Sequence, residues 1–310
     1  MVNNTIPNKD MKENDNLISI VTVSDNQYCP LLAALLKSIE MNSNKDSKFN
    51  LYVVSDGIST ENRSKLQQSV TNSISLEFVD IKTIIKESSS LPLDSSSFPL
   101  NVYVRLFIPY FIPENISRII YLDVDMIAKV DISKLWHIDL HNCAVGAVAD
   151  RCETIGNPWG GIRNYTALKL NPTAKYMNSG LLVIDIEKWR NSNYTEQILS
   201  CISNNKAYAN YPDQYGLNVV FHENWFELDQ RWNCFSYSKI PDPYIIHFIG
   251  IKPIFESYDA NQHYRRDFFF YLQLTEWKNF KVLSNQHRLW KKLKNIIVKK
   301  GLSLFKRQKL

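Results

Sequence analysis

The 310-residue sequence lacks any run of about 18 consecutive apolar residues, which excludes a transmembrane helix of ordinary length. Its first 16 residues also lack the basic segment followed by an apolar segment that marks a signal peptide, so we expect a flexible, polar N-terminus over 1–16. The five cysteines are odd in number and form no C-x-x-C pair. We therefore expect reduced thiols and a cytosolic compartment.

Acidic residues are absent from residues 287–310, a segment that contains nine of the 36 lysines and arginines. The rest of the chain has 27 basic and 31 acidic side chains, so the net charge of +5 arises from this segment. Aromatic and aliphatic side chains such as Trp290 and Phe305 lie among its cations. This mixture is typical of an amphipathic helix on an anionic membrane surface, and a solvated terminal helix is the alternative. Nothing elsewhere in the chain indicates binding of nucleic acid.

The sequence contains no internal repeat and no linker before about residue 280, and its first part alternates between strand and helix patterns. These patterns occupy residues 16–24, 30–43, 48–59, 60–73 and 73–81, with Thr60 as the expected helix cap. Further strands are predicted at 118–123, 143–150, 180–186 and 244–250, helices from Val102 and Glu187, and a loop at 88–99. The alternation predicts an α/β protein with a mostly parallel sheet between helices.

One apolar strand pattern, RIIYLDVDMI, leads into a pair of aspartates, Asp123 and Asp125. Open α/β sheets bind ligands at the carboxyl ends of their strands. In an extended backbone both side chains point the same way, and two close carboxylates repel, so that one tends to stay protonated. A divalent cation such as Mg²⁺ or Mn²⁺ resolves this conflict.

Two other interpretations of this aspartate pair remain open at the level of the residues. One aspartate caps a helix while the other is solvated at a turn. Alternatively, the pair supplies the nucleophile and the acid/base of a haloacid-dehalogenase-type phosphatase. The residues that follow, 126–128, are Met-Ile-Ala and do not fit the phosphatase pattern well.

Several further motifs occur in the same order as in one enzyme family. They are VSDNQY (23–28), LKSIE (36–40), YVVSDGIS (52–59), VYVRLFIP (102–109), IIYLDVDMI (119–127), YMNSGLLVIDIEKWR (176–190), YPDQYGLN (211–218) and IIHFIGIKP (245–253). With them, the chain resembles glycosyltransferase family 8 over roughly residues 17–255, with bacterial lipooligosaccharide galactosyltransferases and glucosyltransferases among the similar proteins. The resemblance implies a GT-A-type fold, with a single Rossmann-like catalytic domain over 17–280 and a basic tail over 281–310.

The resemblance implies a metal site for Mn²⁺, or for Mg²⁺, formed by Asp123, Asp125 and His247. Considered alone, His247 is a hydrogen-bonded core histidine, but it begins the family-like pattern H-x-x-G-x-K-P with Gly250 and Lys252. In the family, the metal binds the diphosphate of a UDP-sugar. Lys252 would then place a compact positive charge near a phosphate, and its alternative is a solvated surface lysine.

The resemblance also implies nucleotide-sugar contacts for several other residues. Asp25, Asn26, Val124 and Gly250 match contacting positions, and Tyr28 matches a tyrosine that stacks on uracil. Asn26 stands where the family commonly has an acid. Without the family context, Tyr28 is equally well explained as a core aromatic residue at the start of a helix.

The donor-sugar pocket is implied at Arg105, Asn178, Asp213 and Gln214. Arg105 matches an arginine that contacts the donor sugar or a nearby carboxylate, and an exposed helical arginine is the alternative. Asp213 would hold a sugar hydroxyl, and Gln214 would lie near the β-face of the anomeric carbon. Two residues depart from the family pattern, namely Tyr215 in place of Asp and Ile254 in place of Trp, and they leave acceptor contacts open.

Taken together, the resemblance implies a retaining, UDP-sugar-dependent hexosyltransferase that uses UDP-galactose or UDP-glucose. The expected catalytic residues are Asp213 and Gln214, and the preferred mechanism is a front-face displacement. The expected acceptor is a glycan or lipid-linked glycan of cell-surface polysaccharide or lipooligosaccharide biosynthesis. The tail over 287–310 would hold the enzyme on the inner face of the cytoplasmic membrane. The alternative is a non-catalytic nucleotide-sugar- or glycan-binding module of the same fold.

Overall fold

The structure, a computed structural model, describes residues 17–87 and 100–290. The predictions for a flexible N-terminus, for the loop at 88–99 and for most of the basic tail therefore lie outside the described residues. Within the two described ranges, no helix is both long enough and apolar enough to cross a membrane.

Among the residues that the structure describes, ten strands form two sheets. Their bounds are β1 Leu17–Asp25, β2 Lys48–Asp56, β3 Ile74–Asp80, β4 Arg118–Leu122, β5 Met126–Ala128, β6 Val145–Thr154, β7 Lys175–Asp185, β8 Phe226–Glu227, β9 Cys234–Phe235 and β10 Ile245–His247. The central sheet has the order β3-β2-β1-β4-β7-β6-β8, and a small second sheet has the order β5-β10-β9. In the central sheet only β7 runs antiparallel to its neighbours, so the expected mostly parallel sheet is confirmed.

Nine α-helices lie wholly within the described residues, and a further helical segment begins at residue 285. The nine helices are α1 Cys29–Asn42, α2 Thr60–Gln68, α3 Ile81–Glu87, α4 Ile108–Phe111, α5 Ser133–Trp136, α6 Ile186–Asn191, α7 Tyr194–Asn204, α8 Pro212–Val220 and α9 Gln262–Gln273. The helix expected from Val102 begins as a 3₁₀ segment over Leu100–Phe107. The expected cap Thr60 is the first residue of α2, and the preceding Ser59 caps the helix by accepting from the Asn62 N–H at 3.2 Å. Serine is at least as good a cap as threonine, so the start of the helix moves by one residue.

The two faces of the central sheet carry separate hydrophobic cores, because successive side chains of a strand point to opposite faces. Ile120 of β4 packs with α1 and α9 on one face, and Ile119 packs with α7 and α8 on the other. Burial on both faces explains why β4 is apolar at every position after Arg118. The two cores hold the carboxyl end of β4 in a fixed place.

Candidate functional site

The two aspartates of the opening motif lie in a turn that leaves the carboxyl end of β4 and leads into β5. The expectation that they share one side of an extended strand is therefore wrong, because the chain bends between the two sheets at Asp123. The turn still brings them together. Asp123 is held by its N–H, which donates to the Gly180 carbonyl at 2.8 Å, and the Asp125 carbonyl accepts from the Phe248 N–H at 2.8 Å.

His247 reaches the aspartates through strand pairing. Strand β10 runs antiparallel to β5, and its register places His247 opposite Met126, the residue after Asp125. The His247 Nε2 atom lies 3.5 Å from Asp125 Oδ1 and 3.8 Å from Asp123 Oδ2. One possible ligand atom from each of the three side chains lies within 4.8 Å of the others. The sequence-predicted metal triad is thus brought together, and its carboxylate and imidazole donors suit Mn²⁺.

The triad fits against β7 only because residue 180 is a glycine. A Cβ atom built on Gly180 would lie 2.5 Å from His247 Cε1 and 2.9 Å from Asp123 Oδ2. Real Cβ atoms do not approach other atoms so closely, so any side chain at this position would displace the triad. This close approach explains the glycine within an otherwise apolar strand.

A chain of hydrogen bonds fixes the ring of His247 and connects it to Asp150. His247 Nδ1 lies 2.8 Å from Asn233 Oδ1, the Asn233 amide donates to Asn178 Oδ1 at 2.8 Å, and the Asn178 amide donates to Asp150 Oδ2 at 2.7 Å. A carboxylate only accepts, so the Asn178 amide nitrogen must be the group that donates to Asp150. The oxygen of Asn178 then accepts from Asn233, and the oxygen of Asn233 accepts from His247 Nδ1. His247 Nδ1 therefore donates to Asn233, which leaves Nε2, the ring nitrogen that faces the aspartates, as the atom that would bind a metal.

Lys252 supplies the positive charge nearest to the triad. Its ammonium group forms an ion pair with Asp125 Oδ2 and donates to the Phe248 carbonyl at 2.9 Å. Burial raises the pKa of Asp125, but Lys252 and His247 outweigh that effect and hold the pKa of this carboxyl well below its usual range. The expectation that one carboxyl of the pair stays protonated does not hold for Asp125, because a lysine already compensates its charge.

Arg105 lies beside the triad and is buried, so the alternative of an exposed helical arginine is wrong. Its guanidinium forms ion pairs with Asp123 at 2.9 Å and with Asp213 at 3.2 Å, and it also donates to the Ser179 carbonyl. The ring of Tyr121 packs 4.6 Å from the guanidinium carbon. The resemblance implies that Arg105 contacts either the donor sugar or a nearby carboxylate. In the structure it contacts two carboxylates.

Asp213 and Gln214 lie in the first turn of α8 and face the triad across the cavity. Asp213 accepts from the Ser179 hydroxyl at 3.0 Å, and burial raises the pKa of this carboxyl although Arg105 lowers it in part. Gln214 Oε1 accepts from the Ser179 N–H at 3.0 Å and from the Asn178 amide at 3.3 Å. These contacts give the Gln214 side chain a fixed orientation.

Twelve of the thirteen predicted site residues line one cavity of about 970 Å³. They are Asp25, Tyr28, Arg105, Asp123, Val124, Asp125, Asn178, Asp213, Gln214, His247, Gly250 and Lys252. The exception is Asn26, whose side chain accepts from the Ser59 N–H at 2.9 Å and from the Asn62 amide at 2.8 Å. These two bonds direct the side-chain oxygen of Asn26 to the start of α2.

One end of the cavity is built where β1 ends. Asp25 caps a short 3₁₀ helix, Asn26–Tyr28, by accepting from the Tyr28 N–H at 2.9 Å. The ring of Tyr28 is half-buried. It lines the cavity and also packs against the core, while its stacking on uracil stays a prediction. Gly250 follows β10 with a φ of 76°, a left-handed conformation that favours glycine.

The two residues that depart from the family pattern do not line the cavity. Tyr215 is buried in the core behind α8, where its hydroxyl donates to Asn164 Oδ1 at 3.0 Å. Ile254 is fully buried in the other core, and the neighbouring Phe255 lines the cavity instead. Neither substitution therefore removes a side chain from the described cavity wall.

Sequence reasoning missed a further group of residues that line the cavity. They are Asp150, Arg151, Trp159, Asn210, Tyr211, Tyr237 and Arg288. Three aromatic side chains among them are strongly exposed, with Trp159 66% accessible. The sequence shows aromatic residues in YPDQY and after β6. A single sequence does not show which aromatic residues are exposed, so it does not single these out.

Comparisons with known proteins agree with this geometry. The sequence model of a family described as glycosyl transferase family 8 matches residues 19–254. General stress protein A of Bacillus subtilis strain 168 is 30% identical over 285 residues, which span 85% of this chain and 96% of that protein. Glycosyltransferase GlyB of Streptococcus pneumoniae is 28% identical and matches 85% of this chain, but this chain spans only 63% of GlyB.

The solved structures extend the comparison to the fold. A structure of the galactosyltransferase LgtC in complex with donor and acceptor sugar analogs has a TM-score of 0.69 and 22% sequence identity. The match covers 84% of this chain and 99% of that chain. The expected GT-A-type fold is confirmed by this likeness.

Proposed function

Because the chain belongs to glycosyltransferase family 8, we propose that it is a retaining transferase that moves galactose or glucose from a UDP-sugar to a cell-surface glycan. Transfer of a glycosyl group in glycan biosynthesis follows from the family. The use of a UDP-sugar donor, the use of a divalent metal and the retention of the anomeric configuration are what we propose. The observation that carries it is the cluster of Asp123, Asp125 and His247 at the floor of the cavity, with Lys252 in contact.

The donor atoms of this cluster fit a divalent cation. Asp123 and Asp125 supply oxygen ligands and His247 supplies an oriented Nε2, a set that suits Mn²⁺ and is compatible with Mg²⁺. When bound there, the cation would neutralise charge on the diphosphate of the donor and of the departing UDP. Lys252 would add a second positive charge to the same phosphates.

The sugar ring of the donor is proposed to lie between Arg105 and the first turn of α8. Asp213 is available to hold a sugar hydroxyl, and the fixed Gln214 amide would lie near the anomeric carbon. An amide is a poor nucleophile, so a covalent glycosyl intermediate on Gln214 is disfavoured. We therefore prefer a front-face displacement, in which the bond to UDP breaks as the acceptor oxygen bonds the same face of the sugar. The proton of the acceptor hydroxyl passes to a phosphate oxygen of UDP.

The acceptor is proposed to bind at the outer part of the cavity, where the exposed aromatic side chains lie. Trp159, Tyr211 and Tyr237 present apolar rings with polar edges, and the Arg151 guanidinium packs 4.5 Å from the Trp159 ring. Such surfaces suit the alternating apolar and hydroxylated faces of sugars. The LgtC structure with donor and acceptor sugar analogs supports a glycan acceptor for this chain as well.

The alternative of a non-catalytic binding module loses its main support. It rested on Tyr215 and Ile254, and both side chains lie in the cores behind the cavity wall. The acidic triad and Lys252 are present and in contact. A binding module would have no need for this arrangement of a metal site next to a buried Arg105.

Release of UDP tests the proposed activity. The purified chain is incubated with Mn²⁺ and each of a set of UDP-sugars, with and without glycan acceptors, and the anomeric configuration of the product is read by NMR. We expect release with UDP-galactose or UDP-glucose, a retained α-configuration, and at least a 100-fold loss in Asp123→Asn. The matched control is Asp139→Asn, because Asp139 is an exposed aspartate outside the cavity. Equal activity of the two variants would refute the metal assignment, and trapping of a glycosyl adduct on Gln214 or Asp213 would refute front-face displacement.

The basic tail is proposed to bind an anionic membrane surface on the cytoplasmic side. The described part of it ends in two exposed apolar side chains, Leu289 and Trp290, and eight of the nine cations of residues 287–310 follow in the sequence. Deletion of 291–310 should abolish co-sedimentation with vesicles that contain phosphatidylserine but leave UDP release in solution intact. Unchanged co-sedimentation of the truncated chain would refute this role.

A further inference from the structure

The segment that precedes the basic tail is joined to the wall of the donor site. The Leu283 N–H donates to the Ile254 carbonyl at 2.8 Å, and the Leu283 carbonyl accepts from the Glu256 N–H at 3.0 Å. These bonds form a parallel bridge between Leu283 and Phe255, three residues after Lys252. Residues 285–290 then continue as a helix. The backbone of the tail segment is therefore fixed beside the end of the H-x-x-G-x-K-P motif.

This attachment places the side chain of Arg288 in the cavity wall. Arg288 lines the same cavity as Tyr28, Lys252 and Phe255. Burial, together with the charges of Asp25 and Asp125, raises the pKa of Tyr28, and the Arg288 guanidinium offsets this rise in part. The guanidinium therefore lies within electrostatic range of the tyrosine hydroxyl. No metal ligand forms an ion pair with Arg288 among the described residues.

The guanidinium of Arg288 has a donor without an acceptor. Its Nε atom is inaccessible to solvent and has no hydrogen-bond partner among the described residues. A buried donor without a partner is unusual in native structures, and a ligand or a water that completes its hydrogen bonding is one explanation for it. An arginine that faces a cavity next to a lysine is a site for an anion, and its planar fork matches two phosphate oxygens at once.

We propose that Arg288 is a donor-binding residue that contacts the diphosphate of the nucleotide sugar. The inference rests on the proposed function, because the metal cluster and Lys252 determine where the diphosphate lies. In this arrangement Tyr28 contacts the base, while Lys252 and Arg288 contact the phosphates. A residue of the C-terminal segment thereby belongs to the donor site, although the family match ends at residue 254.

Titration calorimetry with UDP and Mn²⁺ tests this assignment, with uridine measured as a competitor. Arg288→Gln should weaken UDP binding about tenfold, the loss of a charge-assisted hydrogen bond, and leave uridine binding within twofold. Arg266→Gln is the matched control, because Arg266 is exposed on α9 away from this cavity. Arg288→Lys should restore part of the UDP affinity, and thermal unfolding of each variant verifies the fold.

The possible results separate the inference from the function on which it rests. If the unmodified chain does not bind UDP, the proposed function fails and the inference fails with it. If the unmodified chain binds UDP and Arg288→Gln binds it equally well, only the role of Arg288 is overturned. Equal losses for UDP and uridine would also overturn that role, because a diphosphate contact cannot change the affinity of a ligand without phosphates.

Discussion

Replacement of Asn233 by alanine is expected to weaken binding of Mn²⁺ to the chain without removing any metal ligand. Asn233 is buried and contacts His247 on one side and Asn178 on the other, each at 2.8 Å. The change leaves the Nδ1–H of His247 without an acceptor, so that neither the tautomer nor the ring orientation is fixed. Loss of such an outer partner typically lowers metal affinity about 10- to 100-fold, which equals about 1.4–2.8 kcal/mol.

The same substitution should lower the free energy of unfolding. Asn178 Oδ1 keeps its bond from the Gly180 N–H at 3.0 Å but loses the bond from Asn233. An unpaired donor on His247 adds a desolvation cost, so we expect a loss of about 1–3 kcal/mol in the metal-free protein. Urea unfolding measures this loss, and calorimetric titration with Mn²⁺ measures the loss of metal affinity.

Two further variants make this test specific. Asn205→Ala removes an amide partner of Asn164 at 2.9 Å, outside the cavity, and should leave Mn²⁺ affinity unchanged. Asn233→Asp keeps an acceptor for His247 Nδ1–H and should bind Mn²⁺ within about threefold of the unmodified chain, since carboxylates commonly orient metal-bound histidines. If Asn233→Ala binds Mn²⁺ as tightly as Asn205→Ala does, the hydrogen-bond chain has no role in orienting His247.

Three other predictions follow from the site and its surroundings. Gly180→Ala should abolish Mn²⁺ binding and lower stability by about 1–3 kcal/mol, because the new Cβ would lie 2.5 Å from His247 Cε1; an unchanged Mn²⁺ titration would contradict this. Lys252→Gln should tighten binding of Mn²⁺ alone about threefold, because it frees Asp125, and should weaken binding of UDP with Mn²⁺ about tenfold. Weaker binding of both Mn²⁺ alone and UDP with Mn²⁺ would refute the idea that Lys252 and Mn²⁺ compete for Asp125. Burial raises the pKa of Cys152 to about 12, so its alkylation should be slow at pH 8 and rise about tenfold per pH unit; labelling as fast as in urea, read by mass spectrometry, would refute this.

The central sheet was predictable from the sequence because its strands carry local signals. Strand β4 is apolar at every position after Arg118, because burial on both faces imposes that pattern, and β1 is rich in β-branched residues. The short strands β8, β9 and β10 have only two or three residues, and only β10 was predicted. Their pairing depends on neighbours distant in the sequence, so no local pattern marks all of them.

The metal triad was predicted through the resemblance, whereas the hydrogen bonds that support it were not, and Asn178 was predicted only as a residue of the sugar pocket. The residues that fix His247 are Asn233, Asn178 and Asp150, which lie on three separate elements. They meet because β7 is inserted antiparallel between β4 and β6, a crossover that sequence periodicity does not reveal. Tyr215 illustrates the opposite error. A departure from the family pattern suggests an altered site, but the side chain of Tyr215 points from its helix into the core.

The charges at the floor of the cavity explain how an acidic site can exist at the end of a buried strand. Three carboxylates, those of Asp123, Asp125 and Asp213, are balanced by only two permanent cations, Arg105 and Lys252, each of which is in direct contact with at least one of them. Because each carboxylate has a positive neighbour, none of them is an uncompensated buried charge when no metal is bound. They also leave a formal charge of about −1 when all three acids are ionised. A divalent cation would reverse that charge to about +1, so the same floor that repels a diphosphate before metal binding would attract one afterwards.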